Sequence, residues 1–141
     1  MAYENLPVNG FRICIDNMTT DIAGKVYTPL QKEAIPFVGI SELLLQMDGL
    51  FDSVGYPEAF QSTRTFGEQE RNTTASFHGL PKAVLTTEEI RKHNGAELTA
   101  EVVVNSRRNS SWQGLLFDLG KDTQEKFESE TELLHHILVR T

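Results

Sequence analysis

One cysteine, Cys14, is all the thiol chemistry available to these 141 residues. A single cysteine cannot close an intrachain disulfide, and it cannot supply a multi-cysteine zinc or iron–sulfur site. Basic charge is scarce as well: 13 Lys and Arg stand against 20 Asp and Glu, for a net charge of −7. Such a balance leaves no general basic face to grip nucleic-acid phosphates, so direct nucleic-acid binding is not expected. No apolar run approaches the roughly 18 uninterrupted residues that span a bilayer, and the opening MAYENLPVNG has neither a basic n-region nor an apolar h-region. The expectation is a cytoplasmic protein without membrane association. GxGxxG, P-loop, nucleophile-elbow and paired-acid motifs are all missing, so neither catalysis nor a cofactor is expected.

The residues that invite chemistry have simpler explanations. His78, His93, His135 and His136 include no pair at the i, i+4 spacing of a helical zinc site, and neighbours such as His135 and His136 point about 100° apart on a helix. Cys14 falls opposite the Phe11, Ile13 and Ile15 face of a strand-like segment, where a packed, inert thiol is the expectation. No metal site follows from this set.

What is present is ordinary globular material, 39% hydrophobic and 23% charged. A chain of this length buries on the order of two-thirds of its unfolded surface as one domain, without staples. The acidity is concentrated at the two ends: residues 1–60 carry 8 acids and 3 bases, residues 97–141 carry 8 and 5, and residues 61–96 carry 4 and 5.

Hydrophobic periodicity divides the chain further. Phe11, Ile13 and Ile15 alternate with polar residues as a half-buried strand does. A turn through residues 17–21 leads to a second strand over 22–28, and a third over 34–38 contains Pro36, which suits an edge position. Ile40, Leu43, Leu44, Met47, Phe51 and Val54 then recur at spacings of three and four as one apolar helical stripe, interrupted by Gly49 and ended by Gly55. The same order returns about ninety residues later. Leu98, Ala100, Val102 and Val104 alternate, a turn runs through Arg107 to Ser110, a strand spans Trp112 to Leu119, a short strand surrounds Glu125 to Phe127, and a helix carries Leu133, Leu134, Ile137 and Leu138. Gly24 and Gly114, Phe37 and Phe127, and Glu42-Leu43-Leu44 and Glu132-Leu133-Leu134 correspond. Gly39 with Glu42, and Ser129 with Glu132, sit where a capping box would start each helix.

The expectation is therefore an α+β domain made of a duplicated β-β-β-α unit, its mainly antiparallel sheet packed against two helices. The first unit spans 11–55, a loop and linker helix span 56–96, and the second unit spans 97–141. Thr86 and Glu89 have capping-box spacing for the linker helix, which Asn94-Gly95 ends. Leu44 and Leu134 would be core positions, each costing about 2–5 kcal/mol when cut to alanine.

For partner binding the suggestive cluster is Arg107, Arg108, Asn109 and Trp112, where a hairpin tip could offer guanidinium groups beside an aromatic face. On that reading Arg107→Ala with Arg108→Ala shifts stability by no more than about 0.5 kcal/mol, as for surface residues. The largely aperiodic 67–80 segment is a second partner-facing candidate.

From Arg107 to Leu134, through Asn109-Ser110-Ser111-Trp112-Gln113-Gly114, Phe127-Glu128-Ser129 and Glu132-Leu133-Leu134, the sequence resembles a group of small proteins of Gram-positive gut bacteria. Ile35-Pro36-Phe37 and Gly55-Tyr56-Pro57 extend the likeness towards the N-terminus. The resemblance implies the duplicated architecture and carries over no activity, cofactor or catalytic residue.

The leading functional expectation is a non-catalytic interaction or regulatory protein with a protein partner; a homodimer through an open sheet edge or helix face is one assembly such a body can form. An acidic inhibitor of a nucleic-acid-binding effector, of the anti-defence kind carried by mobile elements, is the first alternative. A small-molecule binder with a pocket between the two units is the second.

Overall fold

A computed structural model of the protein describes residues 5–19, 21–57, 59–60, 81–108, 111–120 and 122–139. Strand β1 (Gly10–Asn17) places Phe11, Ile13 and Ile15 on one side of the sheet and Arg12, Cys14 and Asp16 on the other. It pairs with β2 (Ala23–Thr28), which pairs with β3 (Gln31–Val38), both antiparallel. Helix α1 (Ile40–Val54) follows and runs through Gly49 without a break, to end where Gly55 takes the left-handed conformation at φ 72°. The short β4 (Ala59–Phe60) and the four-residue α2 (Thr87–Ile90) lead to β5 (Leu98–Arg108), β6 (Ser111–Asp118), β7 (Thr123–Phe127) and helix α3 (Glu130–Val139).

The strands form one sheet in the order β3-β2-β1-β5-β6-β7, every neighbour antiparallel, so the α+β class holds. Its centre is the β1–β5 pair, with Arg12 directly opposite Glu101. The C-terminal end of β5 extends beyond the start of β1, and there β4 lies parallel to it, pairing Ala59 with Arg107. That strand falls inside the stretch expected to be loop.

Between the sheet and the two long helices lies the main core. Phe11, Ile13, Ile15, Val26, Ile35, Phe37, Leu98, Ala100, Val102, Val104, Trp112, Leu116 and Phe127 meet Leu43, Met47 and Phe51 of α1 and Leu133 and Ile137 of α3. Phe11, Phe51 and Trp112 form a tilted and edge-on aromatic trio with centroids 5.9–6.3 Å apart, joining β1, α1 and β6. The fully buried leucines are Leu43 and Leu133, whereas Leu44 and Leu134 are only half-buried. An apolar stripe wider than the contact leaves its flank partly wet, and periodicity alone does not say which of two adjacent leucines points inward.

Close strand approach explains two glycines. A Cβ on Gly24 would land on the carbonyl oxygen of Cys14, and one on Gly114 on that of Val103. Each lies beside an irregularity in the ladder, between Ile15 and Asn17 in β1 and between Val104 and Ser106 in β5. Gly49 is the opposite case, since a Cβ there meets nothing within 4 Å.

Denaturant unfolding should separate these positions. Leu43→Ala and Leu133→Ala are expected to lose about 2–5 kcal/mol each and more than their Leu44 and Leu134 counterparts. Gly24→Ala and Gly114→Ala should each cost about 1–3 kcal/mol or more through overpacking. Gly49→Ala should gain about 0.5–1 kcal/mol. Equal losses at Leu43 and Leu44 would contradict the assigned helix face.

Candidate functional site

Arg107 and Trp112 are not at a hairpin tip. Both lie within strands, directly opposite each other in the β5–β6 ladder, and their exposures are 3% and 1%. The cause is the bulge between Val104 and Ser106: one extra residue reverses the alternation of β5, so Arg107 turns to the helix side with Trp112. There its Nη1 donates to Oδ1 of Asp52 at 2.8 Å and of Asp48 at 3.0 Å, and its Nε donates to the Pro57 carbonyl at 2.7 Å. The guanidinium also stands 5.6 Å from the Phe51 ring centroid, and Trp112 Nε1 donates to the same Asp48 oxygen at 3.0 Å. Asp48 and Asp52, one helical turn apart on α1, are the partners that sequence reasoning missed; their i, i+4 spacing was the available signal. Of the four expected partner-binding residues only Arg108 is exposed, and Asn109 lies outside the described residues, as do His78 and the 67–80 segment.

A second polar cluster occupies the opposite face of the sheet. Arg12 is 4% exposed and Glu101 1%, and their side chains meet at 2.6 Å. Glu101 also receives Arg91 through two hydrogen bonds, from Nε at 2.9 Å and Nη2 at 2.8 Å, a contact that raises the pKa of Arg91. The remaining donors of Arg12 reach the His93 carbonyl at 2.7 Å and Asn94 Oδ1 at 2.8 Å. Segment 87–97 thus crosses this face, fixed further by Ala96 N–H to Asp16 and Gly95 N–H to Thr99 Oγ1, each at 2.9 Å. Its helix α2 has the expected capping box, and the hydrogen bonds from Thr86 hold the Glu89 carboxylate below its usual range. That contribution is present above the unfolded-state pKa and is lost as pH falls through the lowered folded value.

Cys14 shares this covered face. Burial pushes its thiol pKa up against the opposing pull of Arg12, which is the condition of a poor nucleophile. Beside it Tyr27 stacks on His93 with centroids 4.0 Å apart and planes 7° from parallel. Among the described residues no group of three or more His, Cys, Asp or Glu is placed to hold a metal ion, and no helix is long and apolar enough to cross a membrane.

Helix side chains bond to individual backbone groups at the outer strands of the sheet. In β3 the Val38 N–H donates to Glu42 at 2.7 Å, Pro36 has no N–H, and its carbonyl accepts from Gln46 Nε2 at 3.1 Å. Beside β7 the Glu128 N–H donates to Glu132 at 2.9 Å, and the Lys126 carbonyl lies 3.2 Å from His136 Nε2, which must carry the proton there. The two glutamates therefore cap the residue before the helix cap, because the Gly39 N–H is already bonded to the Ile22 carbonyl in the first case. An open groove of about 420 Å³ lies between β3 and α1, lined by Gln31, Ala34, Ile35, Pro36, Gln46 and Leu50, all from the first β-β-β-α run.

A scan of protein-family models, a search of curated proteins and a search of solved structures each find no match to this chain. In this chain the polar clusters hold the fold together, and the helix layer faces outward.

Two measurements check this division of labour. Arg107→Ala should cost about 1.5–3 kcal/mol, below the cost of orphaning a fully buried charge because Asp48 and Asp52 keep access to water, while Arg108→Ala stays within about 0.5 kcal/mol. Cys14 in the folded protein should react with a thiol reagent far more slowly than in denaturant; equal rates would contradict its burial.

Proposed function

We propose that the protein is a non-catalytic interaction protein whose partner is held by its helix layer. The observation that carries the reading is the charge of that layer: α1 and α3 contain Glu42, Asp48, Asp52, Glu130 and Glu132 and no Lys or Arg. Among the described residues Arg107 answers them from beneath, on Asp48 and Asp52. A surface of one sign steers and selects an oppositely charged protein partner. The same carboxylates favour the second reading, an acidic inhibitor that competes with phosphate for the basic groove of an effector.

In this reading the body that carries the surface arose by duplication of a β-β-β-α unit. Support comes from side-chain bonds that recur ninety positions apart: Glu42 and Glu132 each accept from the N–H four residues earlier, and Gln46 and His136 each contact the carbonyl ten residues earlier. Gly24 and Gly114 sit over equivalent carbonyls, and the bulges at 15–17 and 104–106 share one place in the first strand of each run. The same helix side chains occupy part of each outer strand, which works against edge pairing as the route to a homodimer.

Cross-linking of the tagged, intact protein in its native cells is expected to trap a protein joined to residues of the helix layer. The complex rebuilt from purified parts should weaken at least about tenfold between 0.1 and 1 M salt, as the screening length falls from about 10 to 3 Å. Cross-links confined to the opposite face, or a salt-insensitive complex, would overturn the reading. Release of the partner's bound nucleic acid by this protein would select the inhibitor.

A further inference from the structure

The segment that crosses the sheet after α2 contains Asn94-Gly95, a pair with its own covalent chemistry. Asparagine is thermolabile because the backbone nitrogen of the next residue can attack its side-chain amide. A side chain on that next residue hinders the approach, and glycine has none. Packing forces the glycine here: a Cβ at position 95 would land on the Leu98 carbonyl oxygen and on the backbone of Ile15. Asn94 itself is exposed, so burial does not keep water from it.

Hydrogen bonds restrain the pair instead. Asn94 Oδ1 accepts from Arg12 Nη2 at 2.8 Å, which fixes the group to be attacked. The Gly95 N–H donates to Thr99 Oγ1 at 2.9 Å, which engages the proton that the attacking nitrogen must lose. A threonine hydroxyl accepts that bond without acting as a base. The flanks are anchored as well: the His93 carbonyl accepts from Arg12 Nε at 2.7 Å, the Ala96 N–H donates to Asp16 at 2.9 Å, and the Glu97 N–H donates to the Ile15 carbonyl at 2.8 Å. Turning the Gly95 nitrogen towards the Asn94 side chain requires these bonds to open.

We propose that Asn94 is a self-modification site, held closed by the docked segment and reactive when residues 93–97 lift from the sheet. The Gly95 nitrogen then bonds to Cγ of Asn94, the Cγ–Nδ2 bond breaks, and Nδ2 leaves as ammonia with the Gly95 proton. Water opens the resulting cyclic imide. Opening at Cγ gives aspartate, which keeps an acceptor for Arg12 and makes the bond charge-assisted. Opening at the main-chain carbonyl gives isoaspartate, whose main chain is longer by one carbon, so the His93 and Ala96 anchors lose their register. Each converted molecule carries a lasting record that the segment has opened.

Peptide mass mapping of the full chain, incubated in mildly alkaline buffer with and without denaturant, reads the conversion. The folded chain is expected to keep Asn94 over a period in which the denatured chain converts. Thr99→Val, which removes the acceptor of the Gly95 N–H, should convert about tenfold faster or more while still folded, because the segment opens locally. Thr99→Ser should restore the wild-type rate, and Leu44→Ala, on the other face of the sheet, should leave it unchanged. Equal rates with and without denaturant, or a wild-type rate in Thr99→Val, overturn the proposal. So does equal acceleration in Leu44→Ala and Thr99→Val, which traces conversion to global unfolding. If Thr99→Val does not fold, amide hydrogen exchange of the wild type decides. Gly95 and Glu97 exchanging together through an opening easier than global unfolding supports the site, and exchange through global unfolding alone overturns it.

Discussion

The ion pair between Arg12 and Glu101 constrains more of this molecule than any other contact. Its two members face each other across the central strand pair, at exposures of 4% and 1%. A charge taken that far from water is tolerated only when its remaining hydrogen-bonding groups are filled. The second carboxylate oxygen takes Arg91, and the spare guanidinium donors take the His93 carbonyl and Asn94. The chain between α2 and β5 must therefore lie across this face, although it has few apolar residues with which to do so. Charge therefore joins the burial of Ile90 in positioning the segment that links the two halves.

On the opposite face the balance is reversed. A continuous apolar core joins both helices to all three strands of each half, and the charged Arg107 at its margin is absorbed by α1. Arg107 restrains the C-terminal half of α1 through Asp48 and Asp52 and fixes the Trp112 edge through their shared oxygen. The sides of the sheet thus divide the work: one carries internal ionic links, and the other supports a helix layer whose outer surface is free of that duty.

Much of this was legible in the sequence. Period-two alternation located β1 and β5, period 3.6 located α1 and α3, Pro36 marked an outer strand, and Gly55 marked the end of α1. Arg107 was illegible for a definite reason. Alternation assumes unbroken pleating, and the bulge before Ser106 inserts a residue whose only signature is the pairing itself. The Arg12–Glu101 pair was hidden for another reason: which strands become neighbours depends on long-range contacts that no local pattern encodes. Leu43 and Leu44 could not be ranked because both belong to the apolar stripe, and only the position of the sheet beneath chooses between them.

The helix-to-edge bonds tie two hazards into one event. Glu42, Gln46, Glu132 and His136 cover the outer strands only while α1 and α3 are docked. Any fluctuation that lifts a helix exposes at the same moment a strand edge and the apolar floor beneath it, which together form a template for cross-β growth. The concentration of aggregation-competent molecules is therefore tied to the free energy of undocking a single helix. A ligand that clamps α1 to the sheet would act on this protein as a chaperone does.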